Sequence, residues 1–179
     1  MALTRLGLNQ SINLATNTTG NLNLTSQVTG TLPTGNGGTG ATSFSPGKIG
    51  QVVTSNINGS GINTSSTSYV STGDSLSITP SATSSKILIL FTGLEMDNQG
   101  ATVAYATVYN GSTNLASSNT FFYLYGGARV AVSGTIHHIH SPNSTSAQTY
   151  TLYIKTNTGT VGFLEDSTDA TFTLMEILA

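Results

Sequence analysis

From Ile49 onward, one segment after another alternates side chains at a period of two. In SKILILFTG, Ile87, Ile89 and Phe91 share one face while Leu88 and Leu90 take the other. TYTLYIK sets Tyr150, Leu152 and Ile154 against Thr151, Tyr153 and Lys155. TFTLMEIL divides Phe172, Leu174 and Glu176 from Thr173, Met175 and Ile177. Successive side chains of a strand point to opposite faces of its sheet, so this period marks strands. Helix has little support: long runs of Ala, Glu, Lys, Leu and Arg are missing, and abundant Thr and Val favour strand.

IGQVVTSNI, STSYVST, SLSIT, SKILILFTGLEM, ATVAYATVYN, RVAVSGTIHHIH, QTYTLYIKTN and ATFTLMEIL read as strands, with GTVGFLED adding another. Gly59-Ser60-Gly61, Thr79-Pro80-Ser81, Asn110-Gly111-Ser112, Ser141-Pro142-Asn143 and Asn157-Thr158-Gly159 separate them as turns. This spacing predicts an all-β head over residues 48–179, a two-sheet antiparallel β-sandwich of jelly-roll type. SKILILFTG is apolar on both faces, which puts it at the centre of the core or at a subunit contact. The last strand, ending EILA, is expected inside a sheet, where partners stop it fraying.

The 179 residues suffice for one ordinary domain with something extra. Only 7% are charged, against about 25% in typical globular proteins. With a net charge of −2, no long-range field draws in nucleic acid or an anionic membrane. Cys is absent, which removes disulfides, thiolate metal sites and a thiol nucleophile. MALTRLGLNQSINLATN has no unbroken apolar run, whereas a secretory signal needs a core of about 7–15 apolar residues and a membrane span about 20. The expectation is a soluble chain with no export signal, no membrane insertion and no nucleic-acid partner.

The first quarter repeats at a period of ten: INLATNTTG, LNLTSQVTG, LPTGNGGTG. Ile12, Leu22 and Leu32 fall in register, as do Thr19, Thr29 and Thr39. A fixed period marks a unit that cannot bury its own apolar face alone. Pairs such as Ile12/Leu14 and Leu22/Leu24 supply about 3–5 kcal/mol of burial per unit. Ordering ten residues costs more than about 10 kcal/mol. Either the segment is a flexible linker, or several identical chains associate so that Ile12, Leu14, Leu22, Leu24 and Leu32 pack against their copies. A pure linker has no reason to keep Leu at a fixed spacing, which favours association.

Gly35, Gly37 and Gly40 spell GxGxxG, the pattern of a dinucleotide-binding turn. That turn needs a buried strand before it, a helix opening in it and an acidic residue about 20 positions later. TSQVTGTLP is too polar for such a strand, Pro46 and Gly47 stop a helix, and NGSGINTSS holds no carboxylate. Gly47-Lys48 is followed by Ile49, so a Walker-type phosphate loop is missing too.

TGTLPTGNGGTGATSFSPGKIGQVV resembles the LP-x-GNGGTG-A hinge repeat of many bacteriophage tail fibres and related virion appendages. The stretches TSSTSYVSTGDSLSITPSATSSKILILFTG, SPNSTSAQTYTLYIKTNTGTVGF and ATFTLMEILA resemble a C-terminal domain recurrent in structural proteins of cyanophages and other marine phages. MALTRLG is a common opening of such proteins. The resemblance spans nearly the whole chain. It implies a homotrimer with an attachment and trimerisation segment at residues 1–47 and a distal β head. Gly35, Gly37, Gly38 and Gly40 then form a hinge, within residues 31–47, between an extended shaft and the head. The implied place is the virion, at the tail or another surface appendage, assembled in the host cytoplasm. Its N-terminus would be gripped by other virion proteins, and its head would contact a host surface glycan or protein. A capsid decoration, adaptor or baseplate knob with the same head and a purely structural role is the alternative.

FFYLYGGARV is the most aromatic stretch, with Phe121, Tyr123 and Tyr125 alternating with Phe122 and Leu124. Core plus sheet edge is the plainer reading. The functional one makes Phe121, Tyr123 and Tyr125 a receptor-binding patch that stacks on a sugar ring, or a trimer contact. His138 and His140 share one face of TIHHIHSP, with His137 opposite. His138-Ile139-His140 is similar to the HxH pair through which three chains of certain phage fibres hold an axial metal ion, six imidazoles in all. No slender needle sequence surrounds it, so an ordinary exposed or interface strand is preferred. Seven carboxylates, Asp74, Glu95, Asp97, Glu165, Asp166, Asp169 and Glu176, leave Glu95-Met96-Asp97 and Glu165 to Asp169 as the clusters. The second lacks the glycine-punctuated loop of a calcium site. Neither provides a paired acid for glycoside hydrolysis, and no G-x-S-x-G elbow occurs. A non-enzymatic protein without a cofactor is the expectation.

Overall fold

A computed structural model describes residues 48–58, 61–99, 102–164 and 169–178. The expected attachment segment at residues 1–47 lies outside the described residues. So do the trimerisation residues Ile12, Leu14, Leu22, Leu24 and Leu32, the hinge glycines Gly35, Gly37, Gly38 and Gly40, and the carboxylates Glu165 and Asp166.

The described residues form strands and no helix: β1 (Ile49–Asn58), β2 (Ile62–Thr64), β3 (Val70–Ile78), β4 (Lys86–Asp97), β5 (Thr102–Asn110), β6 (Thr113–Asn114), β7 (Phe122–Gly126), β8 (Ala131–His140), β9 (Gln148–Thr156), β10 (Val161–Phe163) and β11 (Asp169–Ile177). One antiparallel sheet runs β1-β11-β4, with β8 along the other edge of β4 and the short pair β10-β2 continuing beside the end of β4. The second runs β3-β9-β5, with β7 and β6 sharing the far edge of β5. The described residues are all-β, two antiparallel sheets closing over one core.

The alternation read from the sequence fixes which side chains enter that core. Ile87, Ile89 and Phe91 are fully buried, as are Leu152 and Ile154 from β9 and Phe172 and Leu174 from β11. Phe91 sits in the middle, its ring centroid 6.0 Å from that of Phe163 and 5.2 Å from that of Phe172. β4 is the central strand of its sheet, and β11 lies between β1 and β4, where its backbone is paired on both sides. STSYVST and SLSIT, expected as two strands, are largely one: β3 carries a bulge between Ser71 and Ser75, where Gly73 takes a φ of 88°. A bulge breaks the period of two without ending the strand, which is why the sequence reads as two pieces. The short strand β2 begins at Ile62, directly after the expected turn Gly59-Ser60-Gly61, and is not among the expected strands; the aromatic segment supplies β7 on the sheet edge.

Glu176 points into this core at one end and stays charged there. Its carboxylate accepts hydrogen bonds from the Ser81 backbone N–H at 2.6 Å, the Ser81 hydroxyl at 2.7 Å and the Gln51 side-chain amide at 2.8 Å. Burial alone would raise its pKa; these donors outweigh that and hold it at about 2.

Candidate ligand-binding face

The outer face of the β3-β9-β5-β7 sheet collects aromatic side chains. In β5 the small Ala104, Ala106 and Val108 turn inward, so Tyr105 and Tyr109 turn outward. In β9 Tyr150, Leu152 and Ile154 turn inward, leaving Tyr153 and Lys155 outside. In β7 Leu124 is inside, and Tyr123 and Tyr125 are 58% and 67% exposed. Tyr69, immediately before β3, reaches across the same face. Six of the chain's seven tyrosines therefore gather on one side of one sheet, and Tyr150 alone serves the core.

Strand register brings them into contact. Tyr105 lies directly opposite Tyr123 on one neighbour and opposite Lys155 on the other. The Tyr105 and Tyr123 rings meet edge to face at 5.5 Å. Tyr109 and Tyr153 are tilted at 4.1 Å, and Tyr69 meets Tyr109 edge-on at 6.0 Å. The Lys155 ammonium joins the two groups, 4.5 Å from the Tyr69 ring centroid and 5.1 Å from that of Tyr105. A continuous stripe results: Tyr153, Tyr109, Tyr69, Lys155, Tyr105, Tyr123. The Tyr69 hydroxyl donates to the Asn119 carbonyl at 2.6 Å, and the Asn114 amide donates to the same oxygen at 3.0 Å. These bonds tie the loop between β6 and β7 to the stripe. Burial raises the Tyr69 phenol pKa, which keeps that donor protonated. Rings with fixed neighbours lose little freedom when something stacks on them, so the face is preorganised.

Of the three aromatic residues expected as a patch, the structure brings Tyr123 and Tyr125 to this face and leaves Phe121 out. Phe121 precedes β7, packs on the core edge, and sets its ring 4.9 Å from that of His138. Alternation relates side chains only within a strand, and Phe121 lies before the strand begins. The sequence reading missed Tyr69, Tyr105, Tyr109, Tyr153 and Lys155 as members of one site. Their signal was present strand by strand, since Tyr153 and Lys155 already stood opposite the core residues of β9.

The outer face of the other sheet is different in kind. Register aligns Val52, Met175, Leu88 and Ile139 in one row across β1, β11, β4 and β8. Val52 and Ile139 are 54% and 51% exposed. The neighbouring row is Thr54, Thr173, Leu90 and His137. This face carries aliphatics and threonines in place of tyrosines.

His138 and His140 share the inward face of β8 and His137 turns out, as the alternation required. Each inward ring has a partner: His138 stacks with Phe121, and Nδ1 of His140 lies 3.0 Å from the Tyr150 hydroxyl. Among the described residues no group of three or more His, Cys, Asp or Glu side chains could hold a metal ion. A site shared by three copies would require both rings to turn away from these partners. Asp97 pairs with Arg129 and accepts from the Gln99 N–H at 2.9 Å. Burial would raise its carboxyl, and Arg129 with that N–H holds it below the ordinary range.

Acid should destabilise residues 48–179 in two stages. Burial, and then the charge of an adjacent histidine, pushes His138 and His140 below the usual imidazole value of 6.5. The unfolded chain therefore binds those protons first, so stability is complete above that value and declines as pH falls beneath it. Glu176 adds stability that is complete above its ordinary 4.5 and is lost as pH falls toward about 2. Thermal melts followed by circular dichroism from pH 8 to 3 check this. His138→Gln with His140→Gln should flatten the upper stage alone, and a wild-type melting temperature constant from pH 7 to 5 would count against it.

Among the described residues no helix is long and apolar enough to cross a membrane. No protein-family model matches the chain, and no curated protein matches it. The site thus stands on its own geometry: an open, rigid, aromatic sheet face with one cation in its middle.

Proposed function

We propose that the chain is a homotrimeric virion appendage of the bacteriophage tail-fibre type, with a head that binds a host surface glycan through its tyrosine face. Residues 1–47 attach it to the particle and trimerise it. The observation that carries the reading is the gathering of six tyrosines and Lys155 on one sheet face. A phenol ring offers a flat apolar surface to the C–H face of a sugar, and its hydroxyl offers a hydrogen bond at the rim. An open face of this kind binds one sugar weakly, and three such faces on one trimer gain avidity without a tight single site. The strand order β1-β11-β4-β8 over β3-β9-β5-β7 supports a jelly-roll reading, since consecutive strands are shared out between the sheets. Together with the hinge-like GNGGTG and the resemblance of the head segments, it favours a virion protein.

Contact between copies is assigned to the other sheet, at the row Val52, Met175, Leu88 and Ile139. That aliphatic stripe would otherwise stay wet, and it lies near the start of β1, where residues 1–47 join. The tyrosine face is thereby left for ligand. A purely structural knob is the competing reading, favoured if the tyrosines meet one another between copies.

Two variants of the full-length protein separate these. Leu88→Glu with Ile139→Glu should shift the sedimentation of the wild-type trimer toward smaller species. Tyr105→Ala with Tyr123→Ala should leave the assembled mass unchanged and weaken binding to a glycan array and to host cells at least tenfold. A tyrosine variant that dissociates the trimer, with binding per assembled particle unaltered, would overturn the assignment of that face to ligand.

A further inference from the structure

Lys155 narrows the ligand class. The glycan reading above is its premise. The chain has only five Lys and Arg residues, and this one stands in the middle of an aromatic stripe. An ammonium held over two ring faces and half-buried between them is partly stripped of water, so it interacts more strongly with an incoming anion than a solvated surface lysine does. Among the described residues the one ion pair is Arg129 with Asp97, so Lys155 has no carboxylate partner. The described carboxylates lie elsewhere. Glu95, Asp97, Asp169 and Glu176 belong to β4 and β11 of the other sheet, and Asp74, at the bulge of β3 in the same sheet as the stripe, lines a small cleft with Ile57, the inward Thr72 and Phe163. The stripe is therefore cationic at its centre, and among the described residues no carboxylate stands on it.

We propose that the tyrosine face selects an acidic sugar, a uronic acid whose ring stacks on the exposed Tyr123, beside Tyr105 set edge to face against it, and whose carboxylate accepts from the Lys155 ammonium. Tyr105 stands next to both Tyr123 and Lys155 in register, so one sugar reaches all three. Stacking supplies most of the contact area, and the charge-assisted hydrogen bond supplies the preference for acid over neutral sugar. Tyr69, on the other side of the ammonium, keeps the cation in place when the site is empty.

The test uses the full-length protein with alginate and polygalacturonate, each paired with its carboxyl-reduced neutral form. Wild type should bind each polyuronate at least tenfold more tightly than the neutral form, with the difference shrinking at high salt. Lys155→Gln should lose the preference and keep the neutral binding, and Lys155→Arg should keep the preference. Melting temperatures identify any variant that fails to fold; if Lys155→Gln is one, Lys155→Met takes its place. Equal wild-type affinity for acidic and neutral polymers, or an undiminished preference in a folded Lys155→Gln, overturns the acidic-sugar assignment and leaves the stacking face intact. Binding to none of the four polymers overturns the glycan reading, and this assignment falls with it.

Discussion

Phe91→Ala should lower the unfolding free energy of the head by about 4 kcal/mol. The ring is fully buried in the central strand and touches Phe163 and Phe172. These neighbours come from β10 and β11, the two strands that share one edge of β4. Truncation therefore opens a void whose walls are three paired strands, and none of them can move in without losing backbone hydrogen bonds to another. Relaxation is small in that geometry, which places the cost toward the upper part of the large-to-small range. Domains of this size are stable by only about 5–15 kcal/mol, so the variant should melt far below wild type or fail to fold. Chemical denaturation of residues 48–179 within the full chain measures it. Phe91→Leu, which keeps most of the volume, should cost much less. A loss below about 1 kcal/mol for Phe91→Ala would mean that this core is not the one holding the sheets together.

Gly93→Ala should cost nearly as much, about 3 kcal/mol, for a reason that has nothing to do with burial of apolar area. Gly93 takes a φ of 76°, where a side chain is strained. A Cβ there would lie 2.6 Å from the Asp169 carbonyl oxygen and 3.1 Å from the Ala170 Cα, both backbone atoms of β11. The strand needs this residue because β4 changes partners here, leaving β11 after Thr92 and joining β10 from Met96. Its pairing with β8 also shifts between Thr92 and Leu94. Gly73 is the internal control. It has a φ of 88° with open space around it, so Gly73→Ala should cost only about 1 kcal/mol of backbone strain. Similar losses at the two positions, measured by the same denaturation, would show that the contact with β11 contributes nothing.

Much of the head was legible in the sequence because alternation reports burial directly. The inward sets of β4, β9 and β11 and the opposed faces of His137 and His138 follow from a period of two, and the interior place of β11 from a terminal strand's need for partners on both sides. Phe121 shows where that rule ends: it matches Tyr123 and Tyr125 in spacing, but the chain has not yet entered the sheet. β3 shows a second limit, since the bulge at Gly73 interrupts the pattern without interrupting the strand. Glu176 shows a third. Its place on an apolar face was readable, whereas its donors, Ser81 and Gln51, come from distant parts of the chain.

By itself the sequence determined that residues 48–179 are dominated by strands and which side chains share a face in β4, β8, β9 and β11, because side-chain direction along a strand is a local property of the backbone. Only the tertiary structure decided that Tyr69, Tyr105, Tyr109, Tyr123 and Tyr153 share one face around Lys155. Which strands become neighbours, and in what register, depends on closing long loops over a common core, and no local pattern encodes that choice.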